Sequence, residues 1–223
     1  MSNTGLTKSS IGRKFAMAAS ALFLMIFLLQ HLAINITAVF SPDTFNELSH
    51  FMGTNPAVQF VAQPILIFAV VFHFVMGFVL ELKNREARPV KYVKYNGASN
   101  ASWMSRNMII SGAVILAFLA LHFYDFWIPE ITDKFVHGIW DDTTKYYPHV
   151  LHKFEDPIRV AIYVIAFVLL ALHLLHGFSS AFQSMGQNGK LVQGLKKFGV
   201  AYSIIVPLGF VFVAVYLYII QLS

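Results

Sequence analysis

The sequence predicts an all-α integral membrane protein, a bundle of five transmembrane helices with a cytoplasmic N-terminus and a C-terminus outside. Three observations support this fold class. Only 12% of the 223 residues are charged, whereas soluble domains usually carry about 25%. Five segments are long and apolar enough to cross a bilayer core, which takes about 20 residues of helix. Basic residues accumulate in alternate connections between these segments.

The five predicted spans form one domain and follow directly from the apolar runs. Each run is continuous rather than alternating, which excludes the pattern of a membrane β-barrel. The first run is too long for the apolar core of a cleavable signal, so we interpret it as a retained span. The approximate bounds are residues 15–40, 58–80, 108–128, 158–182 and 198–222.

The distribution of charge predicts the orientation. Of the 16 basic residues, 12 lie in the N-terminal stretch and in the second and fourth connections. Most acidic residues lie in the first and third connections. Because Lys and Arg accumulate on the cytoplasmic side of membrane proteins, the N-terminus is predicted to be inside. The same rule explains the net charge of +5 and argues against nucleic-acid binding.

Histidines inside the spans are the candidate functional residues. The chain has no cysteine, which excludes Cys-ligated iron–sulfur clusters and thioether-attached haem. An ionisable side chain in a span is costly and indicates function. At about 1.5 Å per residue, His31 and His122 lie ~25 and ~24 Å from the inner surface, and His73 and His173 lie near ~15 Å. These depths predict an outer and an inner pair, each joining two spans.

Small residues recur at matching positions around both pairs. Two imidazoles can ligate one haem iron axially, while small side chains let the edge of the macrocycle approach the helix backbone. Small residues also serve ordinary helix packing, so the paired histidines decide the interpretation. We therefore predict two b-type haems with bis-histidine ligation, which suits electron transfer. The small residues are Ser20, Ala21, Ser111, Gly112, Gly77 and Gly177.

The fourth ligand has two candidates on nearly the same helix face, His173 and His176. His173 is preferred because its spacing to the following glycine matches that of His73, which leaves His176 to bind a haem propionate. The swapped assignment stays open. Three basic residues near the inner ends of the spans are further candidate propionate partners, although the topology rule explains them equally well: Arg13, Lys14 and Arg106.

The histidines lie in four stretches of sequence: FLLQHLAIN (followed by FNELSHFM), FHFVMGF, SGAVILAFLALHF and LHLLHGFSSAFQSMG. Together these stretches resemble the cytochrome b membrane anchor of succinate:quinone oxidoreductases, the succinate dehydrogenases and fumarate reductases. The resemblance is to the type B form, which has one five-helix anchor polypeptide and two haems. It covers the first four spans. The fifth span has no histidine, resembles the family only in being a fifth apolar span, and is predicted to be a packing helix.

The resemblance implies that His73 and His173 ligate the proximal haem and that His31 and His122 ligate the distal haem. It implies an iron–sulfur subunit and a flavoprotein subunit on the cytoplasmic face of a bacterial inner membrane, with the succinate site on the flavoprotein. It also implies electron exchange with menaquinone or another quinone, and a possible dimer of the heterotrimer. Some fumarate-reducing relatives carry a glutamate where this chain has Ala171, which favours succinate dehydrogenase over fumarate reductase.

The predicted quinone residues are Glu47 and His50, which lie one helical turn apart in the first connection. A solvated loop helix explains this pair equally well. His137, His149 and His152 are interpreted as loop histidines, and two of them are too few for a zinc site. Two alternatives remain for the whole chain: the dihaem anchor of a hydrogenase or formate dehydrogenase, and a transporter or proton channel with buried histidines and no haem.

Overall fold

The computed structural model describes residues 10–86, 108–184 and 190–222, and every regular element in these ranges is a helix. The all-α fold and the five long apolar helices that the sequence predicts are confirmed. The described part of the chain contains five helices that are long and apolar enough to cross a membrane: Gly12–Phe40, Val58–Lys83, Met108–Phe135, Pro157–Phe178 and Gly194–Ile219.

The spans are built from α-helical elements, and two spans also contain a π-helical turn. The first span comprises α1 and α2, the second π1 and α4, and the third α5, π2 and α6. The fourth and fifth spans are α8 and α9. The elements are α1 Ser10–Asn35, α2 Thr37–Phe40, α3 Pro42–Thr54, π1 Val58–Ala62, α4 Gln63–Glu86, α5 Met108–His122, π2 Phe123–Trp127, α6 Ile128–Phe135, α7 Tyr146–Lys153, α8 Pro157–Ser184 and α9 Lys190–Ile219.

The third span is longer than predicted. The sequence places its end near residue 128, just before Pro129, yet the helix continues through this proline to Phe135. A helix can continue through a proline when the carbonyl four residues before it finds another hydrogen-bond donor. Here Pro129 is the second residue of α6, two residues after the end of the π-helical turn at Trp127.

Two short helices cover the end of the bundle where the first span finishes and the fourth begins. The Ser41 side chain caps α3 by accepting a hydrogen bond from the backbone N–H of Thr44 (3.2 Å), and Pro42 occupies its first turn. α3 packs against α7 in the third connection. The Asn46 side chain accepts a hydrogen bond from the backbone N–H of Tyr147 (2.8 Å) and so joins the two helices.

The apolar core lies among the fourth, fifth and first spans. The fifth span packs against both of its neighbours, and 44% of its most apolar window is buried, compared with none for the second span and 6% for the third. Two glycines permit this close approach: a Cβ on Gly199 would overlap the Phe178 ring, and one on Gly209 would lie 2.8 Å from Leu32 Cδ2. The fifth span is thus a packing helix.

Substitution of Gly199 by alanine is expected to destabilise the protein. The added methyl group would displace the Phe178 ring, and overpacking of this kind typically costs about 1–3 kcal/mol. Gly194→Ala is the matched control in the same helix, because nothing lies within 4 Å of its added Cβ. Thermal unfolding in detergent should give a lower midpoint for Gly199→Ala alone. Equal midpoints for the two variants would contradict the packing described here.

Candidate functional site

A cavity of about 2690 Å³ lies between the first four spans. Pockets for drug-sized ligands usually measure about 300–1,000 Å³, so this cavity has room for more than one large group. Its position explains why the second and third spans bury so little of their apolar surface against protein. All five histidines of the spans line it: His31, His73, His122, His173 and His176.

The outer pair joins the first and third spans. The ring centroids of His31 and His122 lie 5.7 Å apart, and the two ring planes are nearly perpendicular, at 85°. Phe27 stacks on His31, and Phe118 stacks on His122. The Nδ1 atom of His122 is buried and makes no hydrogen bond. This pair therefore lies in an aromatic environment.

The inner pair joins the second and fourth spans. The His73 and His173 rings lie 6.4 Å apart between centroids, with planes at 69°. Each imidazole Nδ1 lies next to a serine of the preceding span. The Ser20 hydroxyl is 3.2 Å from His73 Nδ1, and the Ser111 hydroxyl is 3.1 Å from His173 Nδ1. The structure thus brings together the same two pairs that the depths predict.

The hydrogen bonds of the two serines favour the tautomer of each inner histidine that has its proton on Nδ1. Ser20 donates its hydrogen to the carbonyl of Met17 (2.8 Å), and Ser111 donates to the carbonyl of Met108 (2.9 Å). A hydroxyl has one hydrogen to give, so a serine that donates to the carbonyl can only accept at Nδ1, from the Nδ1–H of its histidine. Nε2 then retains a free lone pair, as a metal ligand requires. This role of the serines goes beyond the steric one that the sequence suggests.

The spacing of both pairs fits a shared metal. Two imidazoles on opposite sides of one metal ion, with metal–nitrogen bonds of about 2 Å, place their ring centroids roughly 6 Å apart. The observed centroid distances are 5.7 Å for the outer pair and 6.4 Å for the inner pair. The cavity volume, the centroid spacing of both pairs and the serine contacts of the inner pair are therefore all compatible with two bis-histidine haems.

Four of the six predicted small residues line the cavity, and the other two, Ser20 and Ser111, contact the inner histidines. A Cβ on Gly112 would lie 3.6 Å from Cε1 of His173, so the backbone of the third span lies directly against this ring. Cβ atoms on Gly77 and Gly177 would meet only methyl groups, of Met17 and Met108, at 3.6 and 3.7 Å. Ala21 also lines the cavity.

Of the three predicted propionate partners, Lys14 is the one that lines the cavity. Lys14 lines the cavity and is exposed, and Arg13 is half-buried in the same turn of α1. Arg106 lies outside the described residues. His176 lines the cavity one turn beyond His173, a position that suits a group at the edge of a ligand held by the inner pair.

The two predicted quinone residues do not border the cavity. Glu47 is exposed on α3. His50 is half-buried, and its ring packs edge to face with Tyr146, at 6.3 Å between centroids. The carboxylates that line this end of the cavity are Glu130 and Asp133 instead. Glu130 was not predicted from the sequence, because it lies after the predicted end of the third span, in a connection whose acids indicated only topology.

Glu130 belongs to a network of charged residues at the outer end of the cavity. It accepts a hydrogen bond from the Tyr146 hydroxyl (2.9 Å) and pairs with Lys145 (2.8 Å) and with the buried Lys134. Burial lowers the pKa of Lys145, but its hydrogen bonds to Glu130 and Asp133 outweigh burial and raise the pKa overall. Burial and the charge of Glu130 raise the pKa of Tyr146. The lysine is thus held charged and the tyrosine protonated.

The three remaining histidines, His137, His149 and His152, contact acidic residues or a backbone carbonyl. His149 and His152 lie on α7 rather than in a loop. His149 bonds the backbone carbonyl of Asp125, whereas His137 and His152 are exposed beside acidic residues. Among the described residues, no group of three or more His, Cys, Asp or Glu side chains could hold a metal ion by itself.

Comparison with known proteins returns no match. No protein-family model, no curated protein and no solved structure matches this chain. What the chain does must therefore follow from the geometry of its histidines and from the resemblance of the stretches that contain them.

Proposed function

We propose that this chain is the dihaem cytochrome b membrane anchor of a succinate dehydrogenase, a succinate:menaquinone oxidoreductase of a bacterial cytoplasmic membrane. It transfers electrons between an iron–sulfur subunit and a membrane quinone. The main support comes from two pairs of histidines that line one cavity. The members of each pair belong to different spans, and their spacing suits one iron. The succinate-specific part of the proposal depends on the sequence resemblance.

In this proposal His73 and His173 hold the inner haem, and His31 and His122 hold the outer haem. When bound, haems ligated in this way supply one-electron transfer and offer no open iron position to oxygen. His173 is preferred to His176 because its ring contacts His73 and its Nδ1 is fixed by Ser111. His176 then lies one turn away, where it can donate a hydrogen bond to a propionate.

The proposed orientation places the inner pair near the cytoplasm. The basic N-terminal stretch and the basic second and fourth connections then face the iron–sulfur and flavoprotein subunits. Ala171 has no proton to exchange, which favours succinate oxidation without a transmembrane proton path. The same subunit in a fumarate reductase, running on menaquinol, is the alternative direction.

We place the quinone at the outer end of the cavity. A quinone carbonyl needs hydrogen-bond donors, and its reduction needs a group that delivers protons. Lys145 is such a donor, and it lines the cavity beside Glu130, which also accepts the hydrogen of the Tyr146 hydroxyl. His50 contacts Tyr146 and stays in the proposed site, whereas the exposed Glu47 has weaker support.

A pyridine haemochrome assay on the purified complex tests the proposal. Two b-type haems are expected for each copy of this chain, together with a co-purifying flavoprotein and iron–sulfur protein. A value well below one haem per chain would favour a transporter or channel with buried histidines. A nickel or molybdenum subunit in place of the flavoprotein would identify a hydrogenase or formate dehydrogenase anchor.

Ser111→Ala is expected to weaken binding of the inner haem. The variant removes the acceptor for Nδ1–H of His173, and loss of such a partner typically costs about 10–100-fold in metal affinity. The purified protein is diluted in detergent, and the haems that remain bound are distinguished by redox titration. The inner haem should be lost before the outer one. Ser180→Ala removes a hydroxyl from the same cavity and is the control. Equal haem retention in both variants would argue against the tautomer role of Ser111.

A further inference from the structure

Asp125 is a fully buried carboxylate beside the outer histidine pair. It lies in the π-helical turn Phe123–Trp127, its exposed fraction is 0%, and it follows His122 by three residues. Three residues correspond to about 4.5 Å along a helix. Burial of a carboxylate is unfavourable unless cations and hydrogen bonds compensate it, and single π-helical turns are frequent at functional sites. The proposed electron-transfer role of the chain does not itself account for this residue.

The side chain of Asp125 joins the third span to the fourth. Oδ2 accepts a hydrogen bond from the Tyr163 hydroxyl (2.8 Å), and Oδ1 lies 3.2 Å from Nη1 of Arg159. Lys153, at the end of α7, places Nζ 3.9 Å from the same oxygen. One negative charge is thus surrounded by two positive charges that belong to other helices.

The backbone of Asp125 is fixed as well. Pro129 has no N–H with which to bond the carbonyl four residues before it. That carbonyl, of Asp125, instead accepts a hydrogen bond from Nε2 of His149 (2.7 Å). The proline that permits the longer third span therefore frees an acceptor that α7 uses.

The charged group contacts the outer pair through Tyr163. The Tyr163 ring lies 6.3 Å from the His122 ring and 4.9 Å from Phe118, between centroids. Tyr163 itself is 2% exposed. The Asp125 side chain is fully buried, whereas those of Arg159 and Lys153 are 26% and 18% exposed, so the carboxylate is the least screened of the three charges.

We propose that Asp125 and Arg159 are positioning residues that set the redox potential of the outer haem. This inference depends on the proposed dihaem function. A negative charge beside the outer pair favours the oxidised state, and a positive charge favours the reduced state. The opposing charges of Asp125 and Arg159 then set how easily the outer haem accepts an electron. They act on His122 through Tyr163 and through the π-helical turn.

Optical redox titration of the purified complex tests this inference. Asp125→Asn keeps the shape of the side chain and removes the negative charge. It should raise the outer midpoint potential by about 59 mV, which is a tenfold change in the one-electron equilibrium. Arg159→Gln should lower the outer midpoint, and neither variant should move the inner one. Asp142→Asn is the control, because Asp142 is an exposed acid of the third connection.

The opposite signs separate an electrostatic role from structural damage. Damage to the helix contacts would move the outer midpoint in the same direction in both variants, and that result would overturn the inference. If Asp125→Asn loses the outer haem, Arg159→Gln and Lys153→Gln decide the question, since both must lower the potential. Wild-type protein without haem would defeat the proposed function. Two haems with unshifted potentials in the variants would defeat this inference alone.

Discussion

His73→Ala and His173→Ala are each expected to remove the inner haem and to leave the outer haem in place. His31→Ala and His122→Ala should do the reverse. Each substitution removes one of two ligands to an iron, and the remaining imidazole cannot hold the macrocycle at bis-histidine strength. The two histidines of a pair contact each other but lie on different spans, so the losses should follow the pairs rather than the helices. Redox titration of membranes should show one component missing from every variant.

His176→Ala is the matched control for this series. It removes an imidazole that lines the same cavity one turn away from His173. Both haems should remain, with at most a shift in the potential of the inner one through the lost propionate contact. If His176→Ala loses the inner haem while His173→Ala retains it, the fourth ligand is the other histidine. If every variant loses both haems, the two sites are not independent.

The spans and the histidine pairs were accessible from the sequence because both depend on one-dimensional regularities. Apolar length predicts the membrane helices, and a rise of about 1.5 Å per residue converts sequence position into depth. His31 and His122 therefore meet where the depths place them, and so do His73 and His173. The depth of a residue in the membrane does not depend on how its helix is rotated about its axis, so it can be estimated by counting residues.

The hydrogen-bonding role of the serines could not be read from the sequence. Ser20 and Ser111 are small residues at the correct depth, which suggested room for a ligand. Only the rotation of the helices shows that each hydroxyl lies within 3.2 Å of an imidazole nitrogen. Contacts between side chains of different helices depend on this rotation, and the pattern along a single helix does not determine it.

The outer network was missed for another reason. Glu130 lies after the predicted end of the third span, near residue 128, and Asp125 lies three residues before that end, so both acids served only as indicators of the topology. The π-helical turn and the position of Pro129 in the first turn of α6 carry the helix past that point. Both acids are thus held in the helical part of the chain, one fully buried and one beside the cavity.

Glu130→Gln is expected to abolish most of the quinone reactivity while leaving both haems bound. Glu130 lines the cavity and pairs with Lys145 and Tyr146, which are the hydrogen-bond donors at its outer end. A positioned acid or base contributes roughly 10²–10⁴-fold to a proton-coupled step, so succinate:quinone activity should fall by a factor in that range. Reduction of the haems by succinate, followed optically, should be unchanged. The defect would then lie between the outer haem and the quinone.

Glu47→Gln distinguishes the carboxylate that the sequence favoured from the one that the structure places at the cavity. Glu47 is exposed on α3, so its variant should retain wild-type quinone reactivity. Loss of activity in Glu47→Gln with normal activity in Glu130→Gln would restore the original assignment.

Because Glu130 also pairs with the buried Lys134, Glu130→Gln alone could act by loosening α6. Tyr146→Phe resolves this, since it removes one hydrogen-bond donor from the network and leaves the Glu130–Lys134 pair intact. A slower quinone step in Tyr146→Phe, with haem content unchanged, would assign the outer end of the cavity to the quinone.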